Sequence, residues 1–248
     1  MYNQIVFLPL YNGLVGLMDI VPWLDVGLAV IIFTCIVKLI LFPLSKSSIL
    51  TQIRMKEVEP EANRIKVQYA NDRQMQAKKT MELYKEKKIK PFAGVLLLFI
   101  QLPILLALIS VFYKIVPAIH PELLYSFVSL PVIKTHFLGL IDLTHKSLIL
   151  SLATGVVQFL QLHFSPATRQ QKGSASTNPG DMSAMAGTMG KQMKYILPFF
   201  AFISTYWLIP ARFPQAASVI AIYWAVSSAF TLGQEIVIRN RYAARKAL

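Results

Sequence analysis

An all-α membrane protein is the fold class the sequence predicts: five transmembrane helices, an N-terminal helix lying in the membrane interface, and a helical hairpin on the cytoplasmic side. Three observations predict it. The 248 residues are 55% hydrophobic and only 15% charged, with a mean hydropathy of +0.52, too apolar for an ordinary soluble domain. Apolar runs recur at close to the roughly 20 residues that a helix needs to cross a bilayer. The net charge of +13 is segregated, with most of the 25 Lys and Arg residues in segments 45–91, 166–193 and 239–248 and none in the first 22 residues.

Residues 1–22 mix apolar groups with Asn3, Gln4 and Asn12, too interrupted to span, and read as an interfacial amphipathic segment ending near Asp19 and Pro22. The first span is expected over 23–44, with Trp23 as its interfacial anchor. Segment 45–91 turns polar and basic. Its Ala70-Asn71-Asp72 break offers a turn and an N-cap, so two helices can return antiparallel over a thin apolar seam, with Pro60 delaying or kinking the first arm. The second span covers 92–116. Residues 117–146, broken by prolines and Gly139, read as an external loop with short interfacial helices. The third span is 147–165, and the Gly, Ser, Ala and Met-rich 166–193 is a cytoplasmic loop. A short fourth span, 194–210, a fifth, 215–238, and a basic tail, 239–248, complete the chain. The basic segments share one side, which the positive-inside rule makes cytoplasmic. The N-terminus is then outside and the C-terminus inside.

Lys38 stands out because it lies inside the first span. A lysine at the centre of a membrane helix costs about 2.5–3.5 kcal/mol on insertion scales, so such a group is a functional-site hypothesis. It is also only about 8 Å from Pro43 at 1.5 Å per residue, so its stem could snorkel to the interface. Position alone leaves the two readings level. The polar groups Thr34, Gln101, Gln158, Gln161, Ser204, Thr205, Ser227, Ser228 and Gln234 recur on several spans. They are either glue between helices or the lining of a watery cavity. Glu235 can pair with Lys38 or with Arg239.

Other chemistry is not in evidence. The single cysteine, Cys35, supports neither a disulfide framework nor a metal cluster, and His120, His136, His145 and His163 are scattered singly. With no glycine-rich phosphate loop and no serine with a credible base, no enzyme and no cofactor are expected. A small-molecule or ion transporter, or a subunit that only packs around other membrane proteins, stands as the alternative, although no internal repeat of the transporter kind is visible.

The segments Ile36-Val-Lys38-Leu-Ile-Leu-Phe-Pro43-Leu-Ser-Lys46, Leu83-Tyr-Lys-Glu-Lys-Lys-Ile-Lys-Pro91-Phe-Ala-Gly94, Phe99-Ile-Gln101-Leu-Pro103 and Gln161-Leu-His-Phe-Ser165-Pro166-Ala-Thr168 resemble corresponding segments of the YidC/Oxa membrane-protein insertases in order and spacing. The resemblance covers roughly residues 5–240 and looks like the five-span core without the large periplasmic domain of some members. It implies a hydrophilic groove, open to the cytoplasm, that holds one cation and receives polar parts of nascent membrane proteins. Lys38 falls where the family usually has arginine, which keeps the charge and loses the bidentate fork.

On this reading the groove residues are Lys38, Thr34, Gln101, Gln158, Gln161, Tyr223 and Trp207. The surface for cytoplasmic partners is Arg54, Lys56, Arg64, Lys66, Arg73, Lys78 and Lys79. Its charge suits anionic lipid headgroups, and equally ribosomal RNA or a targeting factor. Implied partners are nascent membrane proteins, membrane lipids, a ribosome or targeting factor and the Sec translocon, with the chain working as a monomer. The membrane is the bacterial plasma membrane, with an organellar membrane as the second reading.

Overall fold

The computed structural model describes residues 2–90, 93–116, 118–165 and 195–246. The expected loop 166–193 lies outside them. The described chain is mostly helical. After a π-helical turn, Asn3–Phe7, come α1 (Leu8–Ile20), α2 (Val26–Ile40), α3 (Phe42–Glu57), α4 (Glu59–Gln68), α5 (Arg73–Glu86), α6 (Ala93–Ile115) and α7 (Leu148–Phe164). A helical stretch over 195–212, here α8, contains the π segment Ser204–Leu208. The last helix, α9, is Ala217–Lys246.

By length and apolarity, Pro214–Lys246 is long enough to cross a membrane, and α2 with α3 would form a second such unit bent by 65° at Leu41. Phe99–Ile115 and Leu148–Phe164 are shorter apolar helices. The bend follows from the sequence. Pro43 has no N–H to donate, so it sits in the first turn of a new helix, where none is needed. Pro60 likewise falls in the first turn of α4.

Hydrogen bonds fix the relative directions of the helices. The Val26 N–H donates to the Lys134 carbonyl at 2.9 Å, and the Ser218 hydroxyl donates to the His145 carbonyl. The N-terminal ends of α2, α7 and α9 therefore meet the segment 118–147, at what is called here the loop end. The edge-on pair Tyr113 and Phe213, 5.2 Å between centroids, brings the C-terminal end of α6 to the same place. The main core lies in this half, where Tyr11, Leu14, Val30, Leu108, Phe112 and Ile220 are fully buried.

The loop end is held by two buried polar side chains. Asn12 on α1 donates to the Leu8 carbonyl (3.0 Å) and the Leu123 carbonyl (2.9 Å), and accepts from the Tyr125 N–H (2.6 Å). Asp25 caps α2 by accepting from the Leu28 N–H (2.9 Å), while its other oxygen accepts from the Leu138 N–H (3.1 Å). The N-terminal segment is thus packed into the bundle along one face. Segment 117–146, expected to hold short interfacial helices, instead contains a single 3-10 turn, Pro121–Leu123, and a two-stranded antiparallel ladder, β1 (His136–Phe137) with β2 (Ile141–Asp142). The ladder wins because Leu138 and Gly139 take positive φ angles of 53° and 72°, which let the three residues Leu138, Gly139 and Leu140 reverse the chain between Phe137 and its partner Ile141. Asp142 then organises the turn into α7. It accepts from the Thr144 hydroxyl (2.7 Å) and N–H (2.9 Å), which, with His145 nearby, hold its carboxyl at about 2.

At the opposite, basic end, α4 and α5 lie against one another. Asp72 caps α5 through the Met75 N–H (2.9 Å), and the seam consists of Val58, Ala62, Leu83 and Ile89. Met81, on α5, is exposed. The tail of α9 is clasped to the end of α3, where Glu57 accepts from the Tyr242 hydroxyl and the Lys246 ammonium, both at 2.8 Å. Burial alone would raise the Glu57 carboxyl, but the hydrogen bonds from Lys246 and Tyr242 outweigh it and hold the group below its ordinary value.

Two outcomes are expected. Gly27 faces the Phe137 ring so closely that a Cβ there would overlap it. Gly27→Ala therefore lowers the unfolding midpoint in detergent by an amount corresponding to about 1–3 kcal/mol, and Phe137→Ala in the same chain makes the alanine tolerable. The Glu57 clasp has a depressed carboxyl, so its contribution is present above the ordinary carboxylate pKa and is lost as pH falls through the lower folded value. A nitroxide at position 244 should become more mobile as pH falls below the ordinary carboxylate range. Glu57→Gln should give that mobility at pH 7, with no further response to acid.

Candidate functional site

The site is organised by α9, on which Tyr223, Ser227 and Thr231 recur every four residues and so share one face. Lys38, in the last turn of α2, donates to the Thr231 hydroxyl at 3.3 Å, and that hydroxyl donates to the Ser227 carbonyl at 2.8 Å. Gln101 on α6 donates to the Tyr223 hydroxyl at 3.2 Å. The Tyr223 ring is buried against Phe112, 5.9 Å between centroids. One stripe of α9 thus meets the cation of α2 and an amide of α6.

A second face of α9 meets α7. The Gln158 carbonyl oxygen accepts from the Trp224 indole (3.0 Å) and the Ser228 hydroxyl (2.8 Å). Above it the Thr154 hydroxyl donates to the Ala221 carbonyl (2.9 Å), and below it the Ser165 hydroxyl donates to Glu235 (3.0 Å). The register rises together on both helices, so α7 and α9 run parallel. Gly155 lets α8 approach α7 closely, since a Cβ there would stand 3.2 Å from Phe202 Cβ and 3.3 Å from the Pro198 carbonyl.

The expected residues separate accordingly. Lys38, Gln101 and Tyr223 converge on one stripe, and Thr34, one turn before Lys38, is buried. Gln158 spends its carbonyl oxygen on joining two helices. Gln161 is half-buried on α7, while Trp207 on α8 is 59% exposed and meets Tyr206 edge-on, 5.5 Å between centroids. Glu235 takes Ser165 as its partner, and among the described residues it forms an ion pair with neither Lys38 nor Arg239. Lys38 likewise has no carboxylate within 4 Å among the described residues. Its charge is held by a hydroxyl and is not neutralised by an acid. Sequence reasoning missed Thr231, although its four-residue spacing from Ser227 was the available signal.

The basic end presents the other expected set. Arg54 donates to the Lys88 carbonyl at 3.3 Å and Lys79 pairs with Glu82 at 2.9 Å. Lys56, Arg64, Lys66, Arg73 and Lys78 have no carboxylate within 4 Å among the described residues, which leaves their charge facing outward. No group of three His, Cys, Asp or Glu side chains that could hold a metal occurs among the described residues.

The chain is 30% identical over 218 residues to the membrane protein insertase YidC of Francisella tularensis subsp. novicida, covering 88% of this chain and 33% of that protein. It is 29% identical over the same length to the membrane protein insertase YidC of Francisella philomiragia. The chain spans about one third of the length of these relatives. The family model described as 60Kd inner membrane protein matches residues 17–246, nearly the whole chain, and the chain therefore belongs to that family, the YidC/Oxa family.

Proposed function

We propose that the chain is an insertase and chaperone for membrane proteins, and not an enzyme, working in the bacterial plasma membrane. The observation that carries the reading is Lys38, a half-buried ammonium that has a hydroxyl partner and no acid partner among the described residues. An unneutralised cation among apolar helices is costly unless something uses its field. An incoming acidic segment would do so. Two unit charges 4 Å apart attract by about 1 kcal/mol even in water, and by more near a protein surface.

On this proposal the polar stripe of Lys38, Thr34, Gln101 and Tyr223, with Gln158 and Gln161 beside it and Trp207 at its margin, lines a groove open to the basic end. The groove receives the polar part of a nascent membrane protein. Lys38 draws acidic residues inward, and an inside-negative potential helps them outward by about 2.3 kcal/mol per charge per 100 mV. The client's apolar helix then enters lipid by burying its own surface. The proposed spans are 23–44, 92–116, 147–165, 194–210 and 215–238, with the N-terminus outside and the C-terminus in the cytoplasm. The short fourth span would thin the bilayer beside the groove. The cytoplasmic hairpin, through Arg54, Lys56, Arg64, Lys66, Arg73, Lys78 and Lys79, would receive a ribosome or targeting factor, with the Sec translocon as a further partner. Its outward-facing cations support that part, because clustered Lys and Arg reward a polyanion. One chain supplies the whole groove, so a monomer suffices.

The test is insertion of a short single-span client with an acidic N-terminal tail into proteoliposomes containing only this protein. Lys38→Ala should reduce protection of the tail at least about fivefold, the equivalent of 1 kcal/mol. Lys38→Arg should retain it, since positive potential and not fork geometry is required. Thr231→Val keeps the cation and should cost less than Lys38→Ala. Insertion by Lys38→Ala at the wild-type rate would refute the groove mechanism.

A further inference from the structure

The loop end carries a feature that insertion chemistry does not use. An open cleft of about 580 Å³ lies between the start of α2 and the β1–β2 ladder, lined by Trp23, Leu28, Ile133 and Leu138, with Asp25, Lys134 and His136 among its polar groups, the Asp25 carboxylate being engaged by the Leu28 and Leu138 N–H groups. Its walls are rigidly placed. Asp25 holds the Leu138 N–H, the Lys134 carbonyl holds the Val26 N–H, and the Phe137 ring is wedged against Gly27. The tip of the ladder is built against local preference. Leu138 adopts the left-handed region at φ 53°, where asparagine or glycine is usual, and presents an apolar side chain there. Leu138 is 59% exposed, Leu140 84% and Trp23 70%. In water, such a rigid apolar tip would be an unexplained patch of the kind that marks an interaction surface.

We propose that this cleft seats one phospholipid of the leaflet at the loop end, with the Leu138–Leu140 tip sunk into the acyl layer. The chemistry matches from top to bottom. Lys134 spends one N–H on the Pro22 carbonyl at 2.9 Å, which fixes the ammonium at the rim and leaves two donors for a phosphate. Trp23, apolar with a single N–H, suits the glycerol and carbonyl level. Leu28, Ile133 and Leu138 line the part that an acyl chain would occupy. The apolar wall continues beside it, since Ile32 and Ile36 on α2 are exposed along the flank below. A soluble peptide partner accounts for the tip less well, because it would not explain that continuity. The seat rests on the chain lying in a bilayer and not on the insertion reading, so the two can fail separately.

Two measurements test it in proteoliposomes of the full chain. In a Cys35→Ser background, a nitroxide on Leu140→Cys should collide with oxygen more than with a water-soluble nickel chelate, and one on Glu122→Cys should do the reverse. Native mass spectrometry of protein extracted into detergent should find one more retained phospholipid on wild type than on Lys134→Ala, with Lys134→Arg restoring it. A label at position 140 as open to the chelate as one at 122 would overturn the proposal, as would lipid retention unchanged by Lys134→Ala. If Lys134→Ala does not fold, the position-140 label still decides.

Discussion

Polar groups inside an apolar bundle are costly to leave unpaired, and a partner on a neighbouring helix satisfies them while joining two helices. In this chain α9 supplies most of those partners. It meets Lys38 of α2 through Thr231, Gln101 of α6 through Tyr223, and Thr154, Gln158 and Ser165 of α7 through Ala221, Trp224 with Ser228, and Glu235. Each such contact is worth only about 0.6 kcal/mol on average in membrane bundles. Their effect is to fix register. Sliding α7 against α9 by one residue would misalign all four of these hydrogen bonds together. The same requirement explains why a helix so rich in Ser, Thr and Gln can be the centre of a hydrophobic protein.

The loop end obeys a similar logic by other means. A connection of some thirty residues would leave many backbone groups unpaired where it is covered, and such groups are costly to bury. Asn12 and Asp25 take up several of them, each serving its own helix with one bond and the loop with another. Asp25 therefore both begins a helix and fastens the segment that packs over it, and Asn12 fastens that segment from within α1. These two residues tie the starts of α1 and α2 to a segment more than a hundred positions away.

Much of this was legible in sequence. Hydropathy and the positions of proline located the apolar helices, and Lys38 announced itself because a charge in an apolar run is rare. The Asp72 cap could be read from its place before a helical run. What could not be read were pairings across long separations. Gln158 gave no sign that its oxygen would join Trp224 and Ser228, nor Glu235 that it would choose Ser165 over two cations. The ladder at 136–142 was hidden because its turn uses Leu138 where the local code expects a residue at ease with positive φ. The bend at Leu41 was visible as Pro43, but its 65° angle depends on how α3 packs against α6 and α9.

The parallel run of α2, α7 and α9 has an electrostatic side. Each helix behaves as if it carried about half a positive charge at its N-terminal end and half a negative charge at its C-terminal end. With three helices aligned and α6 opposed, the carbonyl ends gather toward the basic end, and Lys38 stands in the last turn of α2, at one of them. The carbonyls of that turn thus supply a partial counter-charge where no acidic side chain lies within 4 Å among the described residues, and the N-terminal end of α3, beginning at Phe42, offsets part of it. A diffuse counter-charge of this kind cannot leave or be titrated away. It steadies the ammonium in an apolar setting while the proton given to Thr231 holds its position.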